Sequence, residues 1–344
     1  MGTRLRIGIL GSGQIVMNAI VDAIIEADGA VVSAIATRGT GAALKDDPRF
    51  AGVSILTGPD SYAQLVGSED VDAVYVGLPN HLHKLWTLEA IRHGKHVLCE
   101  KPLGIDAGEA REMVAAAKQA NVRLVEAFMY RYNPQHQRVR EIIASGELGE
   151  VKLIRSGFTV PLADPLDNVR FGPYPAAGAL YDVGVYCVNV ARWMFGSEPT
   201  TAYASMAELP GSTGDILHSL VLTFPGGRLA SLSGGLGQAY QSFYEVVGTA
   251  GRVLVDRPFA TPPFVPAEPQ LELEVHSAGN VRREPFPDAG QYVAQIDEFV
   301  KLLEDKPSRA YLADDSIANM DVIDALVRSA RSGRAETVNH NLHS

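Results

Sequence analysis

The sequence predicts two domains. An α/β domain with a doubly wound parallel sheet covers residues 1–128, and an α+β domain with a large, open, mostly antiparallel sheet covers residues 129–344. Three observations carry this reading. At 344 residues the chain is too long for one ordinary domain. Up to about residue 128, short apolar runs alternate with helix-like segments, the pattern of parallel strands joined by crossover helices. From Val151 onward, strand-like runs follow one another across Gly, Pro and Asp/Asn turns, which points to antiparallel pairing.

The composition bounds the function. A hydrophobic share of 46% and a charged share of 20% fit a globular protein with a substantial core. A net charge of −10 without a long basic run argues against a nucleic-acid partner. Cys99 and Cys187 make no disulfide framework and lie in apolar runs, so both read as buried free thiols. No stretch approaches the roughly 20 apolar residues of a membrane span, and Ile7–Leu10 is too short for a signal segment. The expectation is a cytoplasmic protein with no membrane partner.

In chain order, Leu5–Leu10 reads as a buried strand, followed by Gly11-Ser12-Gly13 and a helix from Ile15 to about Asp28. A glycine turn between strand and helix aims backbone N–H groups at a phosphate. Gly11, Ser12, Gly13, Gln14 and Ile15 are therefore candidate cofactor residues; a plain tight turn is the competing reading. Val16 stands where the dinucleotide fingerprint has a small third residue. Ala30–Ala36 is the second strand. It ends in Thr37-Arg38, where an NAD site usually has a carboxylate for the ribose 2′-hydroxyl. A hydroxyl and a guanidinium suit a 2′-phosphate, so the expected cofactor is NADP(H), with Thr37 and Arg38 its contacts. A solvated loop arginine is the alternative.

Asp72–Val76, Val97–Cys99 and Val122–Val125 are the next strands. After Val76 comes Gly77-Leu78-Pro79-Asn80-His81-Leu82-His83. It is placed to line the cofactor through Leu78, Pro79, Asn80 and His83, with Asn80 capping the following helix. Each histidine reads equally as a helix-start surface residue. After Cys99 comes Glu100-Lys101-Pro102. A proline restrains the residue before it, so Lys101 is an amine held at the C-terminal end of a strand, where open α/β sheets bind ligands. A cis Lys101–Pro102 bond would suit that placement. Asp106 and Glu109 form a capping-box pattern for a helix to about Gln119.

In the second half, a polar helix follows Asn133-Pro134-Gln135. The strand-like runs are Val151–Val160, Thr200–Glu208, Ile216–Phe224, Arg228–Ser233, Phe243–Val247, Val253–Asp256 and Leu271–Val275. An apolar helix, Ala179–Phe195, interrupts them. It carries Asp182 and Tyr186 four residues apart on one face, with Asn189 near it. These polar groups form either a satisfied core network or a substrate-binding face. Gln291–Leu303 and Ser316–Ala330 read as packing helices. No metal-ligand spacing occurs; His340 and His343 in the tail are weak candidates, and the expected metal content is none.

Gly11-Ser12-Gly13, Glu100-Lys101-Pro102, Glu126–Gln135 and Gly178–Tyr186, in that order, give the chain a resemblance to the Gfo/Idh/MocA oxidoreductases along essentially its whole length. Tyr186 stands where many members have His. That resembles the branch of glucose-fructose oxidoreductase, NADP-dependent xylose dehydrogenase and dimeric dihydrodiol dehydrogenase, and Asn168-Val169-Arg170 fits it too. Pro175-Ala176-Ala177-Gly178 lacks the fuller glycine run often seen there. The resemblance implies a Rossmann domain followed by a substrate-binding and dimerisation domain. It implies hydride transfer between NADP and a carbinol carbon of a sugar, of the aldose dehydrogenase type. Lys101, Tyr186 and Asp182 are then the catalytic residues. Lys101 and Tyr186 act as the acid/base pair, Asp182 and Arg170 bind substrate, and Glu100 and Lys101 also line the cofactor. A homodimer or homotetramer through the C-terminal sheet is expected. The alternatives are a ketosugar reductase, possibly acting on a nucleotide-linked sugar, a dihydrodiol dehydrogenase, or a sensing regulator that has lost catalysis.

Overall fold

A computed structural model describes residues 4–162, 168–259, 271–286 and 290–340. The chain divides into two compact units. The first comprises residues 1–104, 108–132 and 290–316, and the second residues 105–107, 133–289 and 317–344.

The first unit holds six strands, β1 (Leu5–Leu10), β2 (Ala30–Thr37), β3 (Ser54–Thr57), β4 (Ala73–Val76), β5 (His96–Cys99) and β6 (Leu124–Glu126). They form one sheet in the order β3-β2-β1-β4-β5-β6, and every pairing is parallel. The reversal of order at β1 makes the doubly wound arrangement, with ligand sites at the strand C-termini. The helices include α1 (Val21–Glu26), α2 (Ala42–Lys45), α3 (Ser61–Val66), α4 (His83–Arg92) and α5 (Ala107–Gln119). Strand β4 is buried along its whole length, as a parallel strand covered on both faces should be. The sequence reading lacks β3. Its four residues are only half buried at the sheet edge and show no apolar run.

The second unit contains α6 (Pro134–Ala144), α7 (Val185–Phe195) and nine strands: β7 (Val151–Val160), β8 (Thr201–Glu208), β9 (Asp215–Phe224), β10 (Arg228–Leu236), β11 (Gln241–Gly248), β12 (Gly251–Asp256), β13 (Leu271–Ser277), β14 (Asn280–Phe286) and β15 (Glu336–Thr337). Their order is β14-β13-β12-β11-β7-β10-β9-β8-β15, and only β7 with β10 is parallel. Along β9, Leu220, Leu222 and Phe224 are buried while Leu217 and Val221 stay exposed, so one sheet face is covered and the other open. The sequence reading lacks β14, because it carries Arg282, Arg283 and Glu284 instead of an apolar alternation. Charge pairs replace it: Arg282 donates to Glu147 at 2.9 Å and Arg138 to Glu284 at 2.7 Å.

The expected division at residue 128 differs from the observed one in three ways, the smallest being that residues 105–107 fall in the second unit. The first unit continues to Tyr132, and it reclaims residues 290–316 from the second half. The helix α8 (Gln291–Leu303) buries Ile296 and Phe299. A Cβ on Gly29 would lie 2.7 Å from its Val300. The strap after it is pinned too. Tyr311 N donates to Tyr132 Oη at 3.1 Å, and the Tyr311 ring takes the Arg131 guanidinium at 4.3 Å. Chain order alone cannot show such a return. The last helix, α9, spans Ala313–Ser332.

Candidate active site

In the first unit the candidate residues lie on four loops at the C-terminal ends of β1, β2, β4 and β5. Gly11 has φ +97°, and a Cβ there would meet Gly77 O at 2.5 Å; nothing lies within 4 Å of the Cβ position on Gly13. The result is a bare backbone cradle that a side chain would fill, which fits a pyrophosphate. Gln14 and Ile15 lead into a π-helical turn, Val16–Ile20, and then α1. The run expected from Ile15 to about Asp28 is helical from Gln14 to Glu26, with this π-turn inside it. Val16 is fully buried, and its Cγ2 lies 2.6 Å from where a Gly77 Cβ would be. The space denied at position 16 is thus given back at position 77.

Thr37 Oγ1 accepts from Ser12 Oγ at 3.1 Å and from Gly39 N at 3.3 Å, tying the first turn to the second. Arg38 is exposed, with its guanidinium 5.9 Å from the Tyr62 ring centre. Asn80 opens a short 3-10 turn, and Pro79 and Leu82 occupy the cap positions of the turn and of α4. The capping role expected of Asn80 is corrected on that point.

His83 is the clearest correction. It is fully buried, with Nδ1 2.8 Å from Pro102 O and Nε2 2.7 Å from Leu78 O. It offers nothing to a ligand; it braces the loop after β4 against the loop after β5. Burial pushes its pKa down to about 4, against the pull of the two carbonyls. The Lys101–Pro102 bond is cis. On one side of Lys101, Tyr75 donates to the Glu100 carboxylate, whose Oε2 accepts from Lys101 N at 3.2 Å. On the other, Leu103 N donates to the buried Glu126 at 2.8 Å. Glu100 therefore serves the backbone of Lys101. Tyr75 and Glu126 are supports the sequence reading lacks, since each looks like an ordinary strand residue.

In the second unit the expected helix Ala179–Phe195 is again a π-turn, Leu180–Gly184, followed by α7. Asp215 pins its start. One carboxylate oxygen accepts from Leu180 N at 2.9 Å, and the other faces His218 Nδ1 at 2.8 Å. Gly178, at φ +98°, is required here, because a Cβ would lie 2.5 Å from Asp215 N. Arg170 Nε donates to Asp182 Oδ2 at 2.6 Å. The Asp182 charge holds that guanidinium protonated, and Tyr186 lies close enough to add to the effect. Tyr186 is buried, edge-on to Phe158 at 5.6 Å and 5.5 Å from Phe259. The structure thus brings Arg170, Asp182 and Tyr186 together. Asn189 is fully buried and donates to Asn319 at 3.5 Å, as part of a core network.

Cys99 and Cys187 are buried and free, and burial raises both, Cys187 to about 12. Among the described residues no cluster could hold a metal, and no helix is long and apolar enough to cross a membrane. His343 lies outside the described residues. His340 hydrogen-bonds Pro199 O at 2.9 Å.

One unit carries a glycine cradle on a doubly wound sheet, the other a π-turn with a carboxylate and a large sheet, and family models match both parts. Residues 5–128 match the oxidoreductase family with an NAD-binding Rossmann fold, and residues 136–254 match the GFO/IDH/MocA C-terminal domain. The chain belongs to the Gfo/Idh/MocA family. Its Rossmann domain and mixed second sheet are those of this family, and the chain is an oxidoreductase. A D-xylose 1-dehydrogenase (NADP(+)) of Haloferax volcanii is 33% identical, covering 95% of this chain and 98% of its own. A dTDP-3,4-didehydro-2,6-dideoxy-alpha-D-glucose 3-reductase of Streptomyces antibioticus is 31% identical over 95% and 98%. The crystal structure of a 3-ketoreductase from Actinomadura kijaniata, in complex with NADP and TDP-benzene, superposes with a TM-score of 0.86. It is 29% identical, covering 95% of this chain and 98% of its own.

Proposed function

We propose that this Gfo/Idh/MocA oxidoreductase is an NADP-dependent aldose dehydrogenase, in which Lys101 and Tyr186 share the proton transfer at a carbinol carbon. The carrying observation is the grouping of Arg170, Asp182 and Tyr186 on and beside one π-turn. It provides a carboxylate for a sugar hydroxyl next to a phenol that can exchange a proton. The cradle at Gly11–Gly13 holds the pyrophosphate, and exposed Arg38 takes the 2′-phosphate. NADP, once bound, supplies or accepts the hydride. Lys101, fixed on its braced loop, donates to the reacting oxygen. Tyr186 takes the hydroxyl proton in oxidation and returns it in reduction. The xylose dehydrogenase relative supports this direction.

A second reading, reduction of a ketosugar on a nucleotide carrier, is favoured by the 3-reductase relative and by the TDP-benzene bound to the structural neighbour. The open face of the second sheet exposes Tyr203, Leu217, Val221 and Leu229, and we assign it to pairing of two copies. One panel separates the readings: free aldoses with NADP, and nucleotide-linked ketosugars with NADPH, followed by the reduced-nicotinamide absorbance. Aldose oxidation is the expected result. Turnover only of nucleotide sugars would replace the first reading with the second, and tight NADPH binding without any turnover would favour the sensing regulator.

A further inference from the structure

Arg170 is held more firmly than a substrate-contacting loop residue needs to be. Its amide donates to Asn168 Oδ1 at 3.0 Å, and its carbonyl accepts from Gly178 N at 2.7 Å. The next carbonyl, that of Phe171, accepts from Ser212 Oγ at 3.0 Å. Gly178 is in turn bridged to Asp215, whose carboxylate starts the π-turn carrying Asp182. The base of the Arg170 side chain and the start of the Tyr186 helix are therefore one hydrogen-bonded frame. From it the guanidinium reaches Asp182 with Nε at 2.6 Å and Asn168 with Nη1 at 3.5 Å. These contacts use two of its five N–H donors.

The surroundings of Tyr186 make this charge matter. The Arg170 side chain keeps 42% of its exposure and Asp182 21%, while Tyr186 as a residue keeps only 4%. Phe158 on β7 and Phe259 wall the ring and carry no charge. The Asp215–His218 pair sits against Gly184 on the sheet side and is paired within itself. Arg170, on the 3-10 turn Val169–Phe171, is bonded to Asp182 and lies close enough to Tyr186 for their charges to interact, and Asp182 precedes Tyr186 by one turn on its own helix.

We propose that Arg170 and Asp182 form a charge couple that sets the ionisation of Tyr186, with the guanidinium favouring the phenolate and the carboxylate opposing it. Arg170 is thus a positioning residue that acts through Tyr186 as well as through Asp182. In oxidation the substrate hydroxyl gives its proton to the Tyr186 phenolate and the carbinol carbon gives its hydride to the nicotinamide, leaving a carbonyl; reduction reverses both transfers. The couple fixes how readily Tyr186 holds that proton. An opposite charge nearby typically moves a titration by about 1–3 pH units, and the exposure of this guanidinium places the effect at the low end.

This inference rests on Tyr186 being the acid/base group, and the experiment separates the two. Wild type, Arg170→Gln, Arg170→Lys, Asp182→Asn and Tyr186→Phe are compared by two readouts. One is the pH profile of kcat. The other is the ultraviolet tyrosinate titration of cofactor-free protein, with Tyr186→Phe as the subtraction blank. Arg170→Gln should move the Tyr186 limb up by about one unit, Asp182→Asn should move it down, and Arg170→Lys should restore most of the wild-type position. A loss of packing alone does not give shifts of opposite sign. An unmoved limb, or shifts of the same sign, overturns the charge couple. Should Arg170→Gln fail to fold, the downward shift in Asp182→Asn decides by itself. Near-normal turnover in Tyr186→Phe would instead remove the acid/base reading beneath it.

Discussion

Among the described residues there are two π-turns, Val16–Ile20 in the first unit and Leu180–Gly184 in the second. Each opens a helix that carries candidate site residues, and the two are built in opposite ways. The first is organised by absence. Bare glycines leave the backbone exposed, and Val16 fits only because Gly77 has no side chain. The second is organised by presence. Asp215 grips its first amide; the turn displays the Asp182 carboxylate, and the Tyr186 phenol follows at the start of α7. A π-turn inserts a residue that disturbs helical hydrogen bonding, so it needs an outside reason to persist, and such turns often mark functional sites. Here the reasons are a close backbone approach in one unit and a buried carboxylate in the other. Under the proposed function this is a division of labour, with the first turn assigned to binding through the main chain and the second to chemistry through side chains.

That contrast can be broken or sharpened. The largest expected effect is on chemistry. Tyr186→Phe should lower turnover by roughly 10²–10⁴-fold, and Lys101→Ala by a similar factor. Both should keep NADPH affinity, measured by fluorescence titration. A loss of cofactor binding in Tyr186→Phe would blur the division. Next comes stability. Gly178→Ala forces an unfavourable φ and a clash with Asp215, and should cost at least about 2 kcal/mol in denaturant melts. Gly77→Ala should cost about 1–3 kcal/mol, with part of it recovered by adding Val16→Ala and the rest left by the Tyr75 ring, 2.9 Å from the new Cβ. Additive costs in that pair would mean the two positions do not share one space.

Arg38→Ala should weaken NADPH by about 10- to 100-fold, the scale of a charge-assisted hydrogen bond, and leave NADH nearly unchanged. Equal weakening of both would remove the 2′-phosphate role. The last effect is in acid. His83 is depressed from 6.5 to about 4, so the folded first unit binds fewer protons than the unfolded chain in that window. Its contribution, up to about 3 kcal/mol, is complete above pH 6.5 and lost as pH falls toward 4. Asp324 in the second unit is raised from 3.8 to about 6 by burial, so its contribution is present at low pH and lost as pH rises through 6. Amide exchange from pH 6.5 to 4, corrected for intrinsic rates, should loosen the first unit relative to the second. Uniform loosening would contradict this.

The sequence exposed the parts whose chemistry shows in a short motif: the glycine turn, Glu100-Lys101-Pro102, and Asp182 with Tyr186. The strands with period-two or apolar patterns were visible too, with β3 and β14 lost because edge strands need neither. His83 was misread because a histidine beside a strand end looks the same whether it meets a ligand or two carbonyls. Asp215, Glu126 and Tyr75 are invisible as site supports because their partners are 23 to 35 residues away. The return of α8 to the first unit was hidden for the same reason, since packing across more than 150 residues leaves no local trace.

The two ends of the nine-stranded sheet bear on how the protein avoids fibres. A free strand edge is a template on which another chain can add. Here β15 has only two residues, and β14 is a row of charges interrupted by Pro285, which has no N–H to donate. Both margins are therefore poor sites for strand addition. Endless edge-to-edge growth is thereby disfavoured, even though Leu217 and Val221 leave one broad face of the sheet exposed.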